Sequence, residues 1–175
     1  MRYLVVAVLT GMLMLGACGQ DGPHADDLVR SGLAKHRAGN IEGAVEDYVS
    51  ALEIEPKNHF ALYNLGLIAQ SRNEARSAEE WYRRAIDAAP DFEAPHFNLA
   101  LLLSGQGRTQ EAIELYRAAV GINPDHAEAH LNLGLLLIQS GLDREGEREI
   151  NAALALNPDL AGELGGADAV GSPEG

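Results

Sequence analysis

Three histidines have the residue type and spacing closest to chemistry. His126-Ala127-Glu128-Ala129-His130 sets two imidazoles four residues apart, which on a helix is one face. His96 lies 34 residues before His130. Such a trio could hold a divalent metal through neutral ring nitrogens. A zinc-bound water would also need a base, and the catalytic spacing His-Glu-x-x-His puts a glutamate directly after the first histidine. Here Glu128 comes one residue late, at i+2, turned away from the histidine face. Half-buried rings packed against neighbouring helices are the simpler account of His96 and His130. There is no Gly-rich phosphate loop and no G-x-S-x-G. Acids such as Glu42, Glu46 and Asp47 fall on solvated helix faces. No catalytic residue, metal ligand or cofactor is expected, so the chain reads as a non-enzyme. A histidine-based metal-binding protein or metalloenzyme stands as the alternative.

The other reactive residue is Cys18, the only cysteine, which excludes a disulfide within the chain and a Cys-rich zinc site. It follows Met1-Arg2-Tyr3 and an apolar run from Leu4 to Leu15, the length of a signal-peptide core and short for a membrane-spanning helix. Leu15-Gly16-Ala17-Cys18 resembles the bacterial lipobox. That resemblance implies that residues 1–17 are a removed lipoprotein signal peptide and that the Cys18 thiol carries the lipid. Two or more acyl chains make a stable membrane anchor. Gly19 rather than Asp follows Cys18. By resemblance to enterobacterial sorting, this implies the periplasmic face of the outer membrane if the source is Gram-negative. Residues 18–24 form a linker, and the six from Gly19 to His24 reach about 20 Å at most.

These candidates must be positioned by a chain of 175 residues, enough for one ordinary domain. Apolar residues make up 46% and charged residues 22%, a folding composition, and the aromatic share of 5% favours packed helices over a β-sandwich. The formal net charge of −13 argues against non-specific nucleic-acid binding, which needs a basic footprint.

Pro56, Pro90, Pro124 and Pro158 recur every 34 residues and divide the chain into blocks 25–58, 59–92, 93–126 and 127–160. Small residues share one register (Gly32, Gly66, Ala100, Gly134) and again another (Ala44, Ala78, Ala112, Gly146). A bulky slot holds Tyr48, Tyr82, Tyr116 and Ile150, followed by Ala51, Ala85, Ala119 and Ala153. Each block splits into two amphipathic stretches of about 14 residues, with Leu62, Leu65, Gly66 and Ala69 at i, i+3, i+4 and i+7. Ser104-Gly105-Gln106-Gly107 and Ser140-Gly141 break helix, and each proline stops one. The Asp or Asn after each proline can cap the next helix.

This pattern resembles the tetratricopeptide repeat (TPR) over 136 of 175 residues. The Trp slot departs from it, holding Leu28, Leu62, His96 and His130. The resemblance implies an all-α helix-turn-helix solenoid of four repeats and eight helices, a right-handed superhelix with a concave inner face. One helix pair cannot bury its apolar face alone, so neighbours must stack. The tail 161–175, with five glycines and Pro173, reads as disordered. The last helix, about 143–156, would then be poorly covered, and a second copy covering it would give a homo-oligomer.

Asn64, Asn98 and Asn132 stand 34 apart in a slot that in TPR proteins faces the concave groove. Asn is a poor helix former, and its carboxamide can donate and accept. The series resembles the asparagine ladder of O-linked N-acetylglucosamine transferases. Phe60, Tyr63, Leu67, Phe97, Leu101 and Leu131 join it as apolar groove residues, with Arg30 and Arg37 at one end. Ala94 and Asn98 stand where a chaperone-tail carboxylate clamp needs cations. The expected partner is therefore another protein or peptide in the groove, with the membrane reached through lipidated Cys18 and no nucleic acid. The expected role is an anchored scaffold or adaptor at the bacterial cell envelope, assisting pilus or secretion-system assembly, with docking of cell-wall hydrolases as an alternative.

Overall fold

A computed structural model describes residues 22–162. The signal peptide, Cys18 and the tail from residue 163 lie outside the described residues. The tail's first two residues, Ala161 and Gly162, are helical and exposed.

Eight α-helices follow in chain order: α1 Ala25–Arg37, α2 Ile41–Ile54, α3 His59–Ser71, α4 Ala75–Ala88, α5 Glu93–Gly105, α6 Thr109–Ile122, α7 Ala127–Gln139 and α8 Asp143–Leu156. A 3₁₀ turn, Pro158–Leu160, closes the series, and no strand occurs among the described residues. Packing is local: α1 on α2, α3 on α4, α5 on α6, α7 on α8, then each pair on the next. This is the four-repeat solenoid expected from the 34-residue period.

The small-residue slots let paired helices touch. A Cβ added to Gly66 would lie 2.5 Å from the Tyr82 ring, and one on Gly32 would lie 2.7 Å from Tyr48. In the last repeat Ile150 replaces the tyrosine and the contact tightens to backbone: a Cβ on Gly146 would lie 2.6 Å from the Gly134 carbonyl. Each hairpin turn places one residue in the left-handed region: Gly39, Asn73, Gly107 and Gly141. Asn73 is the one that is not glycine, and its short polar side chain makes that conformation tolerable.

Capping departs from the sequence reading. Asn40 and Asn58 do cap, accepting from Gly43 N and Ala61 N at 3.0 Å. Asp91 and Asp125 stand one residue too early, and the N-cap positions of α5 and α7 are Phe92 and His126, without side-chain caps. Those two side chains pack instead on the first helix of their own block, Phe92 on α3 and His126 on α5.

The far end is better covered than the tail composition implied. Leu160, on the 3₁₀ turn, is buried against Ala127, Leu131 and Ala153. It occupies the slot that Phe92 and His126 fill earlier, so the turn continues the stacking pattern for one side chain past α8.

On the outer layer, ion pairs tie each hairpin to the next. Arg72 reaches Glu42 at 3.0 Å, Arg108 reaches Glu79 at 2.7 Å, and Arg117 reaches Glu145 at 2.6 Å. Arg83 bridges Glu79 and Glu111, and Glu111 also takes Arg108 at 2.6 Å. The Arg108 hydrogen bond, aided by Arg83, outweighs burial and holds the Glu79 carboxyl below the ordinary carboxylate range. A folded value below the unfolded one stabilises fully above the unfolded value and loses that contribution as pH falls.

Two outcomes are expected in urea unfolding. Gly66→Ala destabilises by ~1–3 kcal/mol through overpacking on Tyr82, whereas Gly121→Ala, with nothing within 4 Å of the added carbon, stabilises by up to ~1 kcal/mol through helix propensity. Acidification below about pH 5 lowers the urea midpoint, and Arg108→Gln shrinks that drop; an unchanged pH profile in Arg108→Gln would remove the network's part in it.

Candidate functional site

The inner layer is built by the first helix of each hairpin, α1, α3, α5 and α7, the layer that the TPR resemblance makes concave. Its centre is aromatic. Phe60 is 48% exposed, and its ring lies 5.5 Å from that of Phe92, which also meets Tyr63 edge-on at 5.2 Å. One repeat on, His126 lies over Phe97 at 4.5 Å, and Phe97 meets Tyr116 edge-on at 5.7 Å. Edge-to-face pairing fixes these rings beyond their area burial. The same geometry recurs because the last residue of each block leans on the fifth residue of that block's first helix: Phe92 on Tyr63, His126 on Phe97, Leu160 on Leu131.

Leu131 is a correction. It is 3% exposed, closed over by Leu160, and does not line an open groove. The other groove candidates are spread along the inner layer. Leu67 and Phe97 pack half-buried on the main core, and Leu101 is exposed beside Gln70 in a depression of about 320 Å³. Arg30 pairs with Asp27 one turn away on α1. Arg37 is exposed in the last turn of α1, close enough to Tyr48 for its charge to favour the phenolate. Burial nonetheless pushes the Tyr48 hydroxyl up to about 12.

The asparagines are not interchangeable. Asn64 Nδ2 donates to the Phe60 carbonyl at 2.7 Å. Asn98 Nδ2 donates to the Ala94 carbonyl at 3.0 Å and to the Tyr63 hydroxyl at 3.1 Å, linking two repeats. Asn132 faces the Tyr116 hydroxyl, an influence that opposes the upward push of burial on that phenol. Below them, Tyr82 donates to Gln70 Oε1 at 2.5 Å. Asn98 thus ties two repeats together while Asn64 bonds within its own helix, a difference that spacing alone did not distinguish.

The histidines are engaged separately. His126 is the N-cap residue of α7 and not inside it, so the helical i, i+4 face does not apply to it. Its Nδ1 lies 2.7 Å from Glu93 Oε1 and its Nε2 3.6 Å from Glu128 Oε2. Glu128, read from sequence as pointing away, comes near because the cap bends the ring toward it. His130 lies 2.7 Å from Glu149 and 3.0 Å from the Pro124 carbonyl, and His96 lies 3.0 Å from the Pro90 carbonyl. His96 and His130 therefore occupy the Trp slot as packed rings, each held to the carbonyl of the proline six residues back. Among the described residues no three His, Cys, Asp or Glu side chains cluster as a metal would require. Phe92 and His126 were not read as groove residues; their place immediately after each Pro-Asp pair was the available signal.

The Asn98–Tyr63 bond has a measurable weight. Asn98→Ala lowers stability by ~0.5–1.5 kcal/mol in urea titration. Tyr63→Phe removes the same bond, so the double variant loses less than the sum of the singles; strict additivity would show the bond carries nothing.

Three family profiles match: residues 32–72 as "TPR repeat", and residues 61–92 and 103–164 as "Tetratricopeptide repeat". No curated protein matches the chain by sequence. Solved structures similar to it include MamA, at 23% identity and a TM-score of 0.68 over 78% of this chain and 80% of that one. MamA from Desulfovibrio magneticus RS-1 (residues 41 to the end) aligns at 20% identity and a TM-score of 0.64, over 77% of this chain and 76% of that one. Pseudomonas aeruginosa PilF aligns at 27% identity and a TM-score of 0.66, over 77% of this chain and 61% of that one. With the period, the eight helices and the packing all in agreement, this chain belongs to the tetratricopeptide repeat family.

Proposed function

We propose that this protein is a lipid-anchored scaffold that captures a peptide segment of a partner protein on its concave face at the bacterial cell envelope, in support of pilus or secretion-system assembly. The observation that carries the reading is the concave aromatic patch centred on Phe60, Tyr63, Phe92 and Phe97. It is apolar, partly exposed and spread across two repeats. Aromatic anchors of this kind dominate protein–protein recognition. The lipobox-like Leu15-Gly16-Ala17-Cys18 supports the anchor, and the likeness to PilF supports the assembly role. An anchor would confine the groove close to the membrane and raise the effective concentration of whatever it holds.

Site-specific photo-crosslinking in cells tests the groove: a crosslinker at Phe60 or Phe97 yields a discrete protein adduct, and one at Glu80 on the outer layer does not. Adducts of equal pattern from both faces would refute concave capture. Metabolic labelling with palmitate tests the anchor; label on the wild type and none on Cys18→Ser is expected, and an unlabelled wild type would refute it.

A further inference from the structure

The charge on the inner layer is one-sided. From α3 onward its helices, α3, α5 and α7, contain no lysine or arginine. Their only acidic side chains are Glu93 and Glu128, which flank His126 beside the Phe97 ring. The carboxamides point the same way. The nitrogens of Asn64 and Asn98 face main-chain carbonyls, which only accept, so the oxygen is the end left to a ligand. Aromatic faces such as that of Phe60 also attract cations. The acidic residues sit at the N-terminal edge of the inner helices. The opposite edge is aliphatic: Leu101 is 43% and Leu135 44% exposed. Ile138 and Leu142 extend this edge where the earlier repeats hold His36, Gln70 and Ser104, and Asn40, Glu74 and Arg108. Eight residues of helix separate Glu93 from Leu101, about 12 Å at 1.5 Å per residue, close to the diameter of one α-helix with its side chains.

We infer that the segment captured by this groove is a basic amphipathic peptide, its lysines or arginines along the Glu93–Glu128 edge and its aliphatic side chains along the Leu101–Leu135 edge. This rests on the concave face being the binding surface. Complementary charge fixes orientation and speeds encounter, while the apolar contacts supply most of the affinity.

The test uses the full-length protein and three labelled 18-residue helical peptides sharing one leucine face. The opposite face is lysine, glutamine or glutamate. In fluorescence anisotropy at low salt the lysine peptide binds about tenfold tighter than the other two, and the advantage shrinks as salt rises. The double variant Glu93→Gln/Glu128→Gln weakens the lysine peptide by about fivefold, whereas Glu80→Gln/Glu114→Gln on the outer layer removes the same charge with less than about a twofold change. Matching melting temperatures confirm that both variants fold. Equal loss in the two variants would assign the attraction to bulk charge and overturn the inference, as would failure of the lysine peptide to bind. If the glutamine peptide binds as tightly and Phe60→Ala weakens it, the groove stands and the basic class falls. If Phe60→Ala and Phe97→Ala leave every peptide unaffected, the groove reading itself falls.

Discussion

The close contact between a small residue on the first helix of each hairpin and a large one on the second is what the rest of the molecule depends on. At Gly66 the Tyr82 ring fills the space a Cβ would take, and at Gly146 the neighbouring backbone does. With hydrogen in place of a methyl group, two helices approach until their apolar faces merge. Tyr48 and Tyr82 are buried against such glycines and Tyr116 is buried in the block whose slot holds Ala100, and the hairpin becomes a slab with one apolar edge that only another slab can cover.

Stacking then creates the surface on which recognition is proposed. The residue after each Pro-Asp pair, or after Pro-Lys in the first repeat, can cap the next helix or pack on the last. Asn58 caps; Phe92 and His126 pack. The second choice gives up a capping hydrogen bond, worth ~1 kcal/mol, in exchange for an aromatic contact that brings the end of a block back onto its first helix. Phe60, Tyr63 and Phe92 belong to one block and Phe97 and His126 to the next, so stacking sets the two aromatic groups side by side. Leu160 makes the same choice at the end of the array, where it buries Leu131 and closes the row.

The two layers divide the electrostatic work. Arginine–glutamate pairs, 28 to 30 residues apart, join successive hairpins on the outer layer. The inner layer from α3 onward is free of lysine and arginine. Exposed pairs contribute little singly, but Arg83–Glu111 recurs one repeat later as Arg117–Glu145, and each such pair favours one stacking register. The absence of lysine and arginine from α3, α5 and α7 is the basis for the proposed contact of one sign on that stretch of the inner layer.

The helices and their pairing were legible in the sequence because each is fixed locally. The 34-residue spacing of the prolines, the glycine and alanine slots and the tyrosine slot are read by the chain within one hairpin, and hydrophobic periodicity marks the face of each helix. The asparagine series was legible for the same reason. What the sequence did not decide is which inner-face residues stay open. Leu131 has the same register as Tyr63 and Phe97, yet it is closed by a turn almost 30 residues later. His126 has the spacing of a metal ligand to His130, yet it is a cap residue whose ring turns to Glu93 and Phe97. Both outcomes are set by contacts between the two ends of one 34-residue block, Leu160 on Leu131 and His126 on Glu93 and Phe97, and the periodicity of a single helix does not encode a contact that far along the chain.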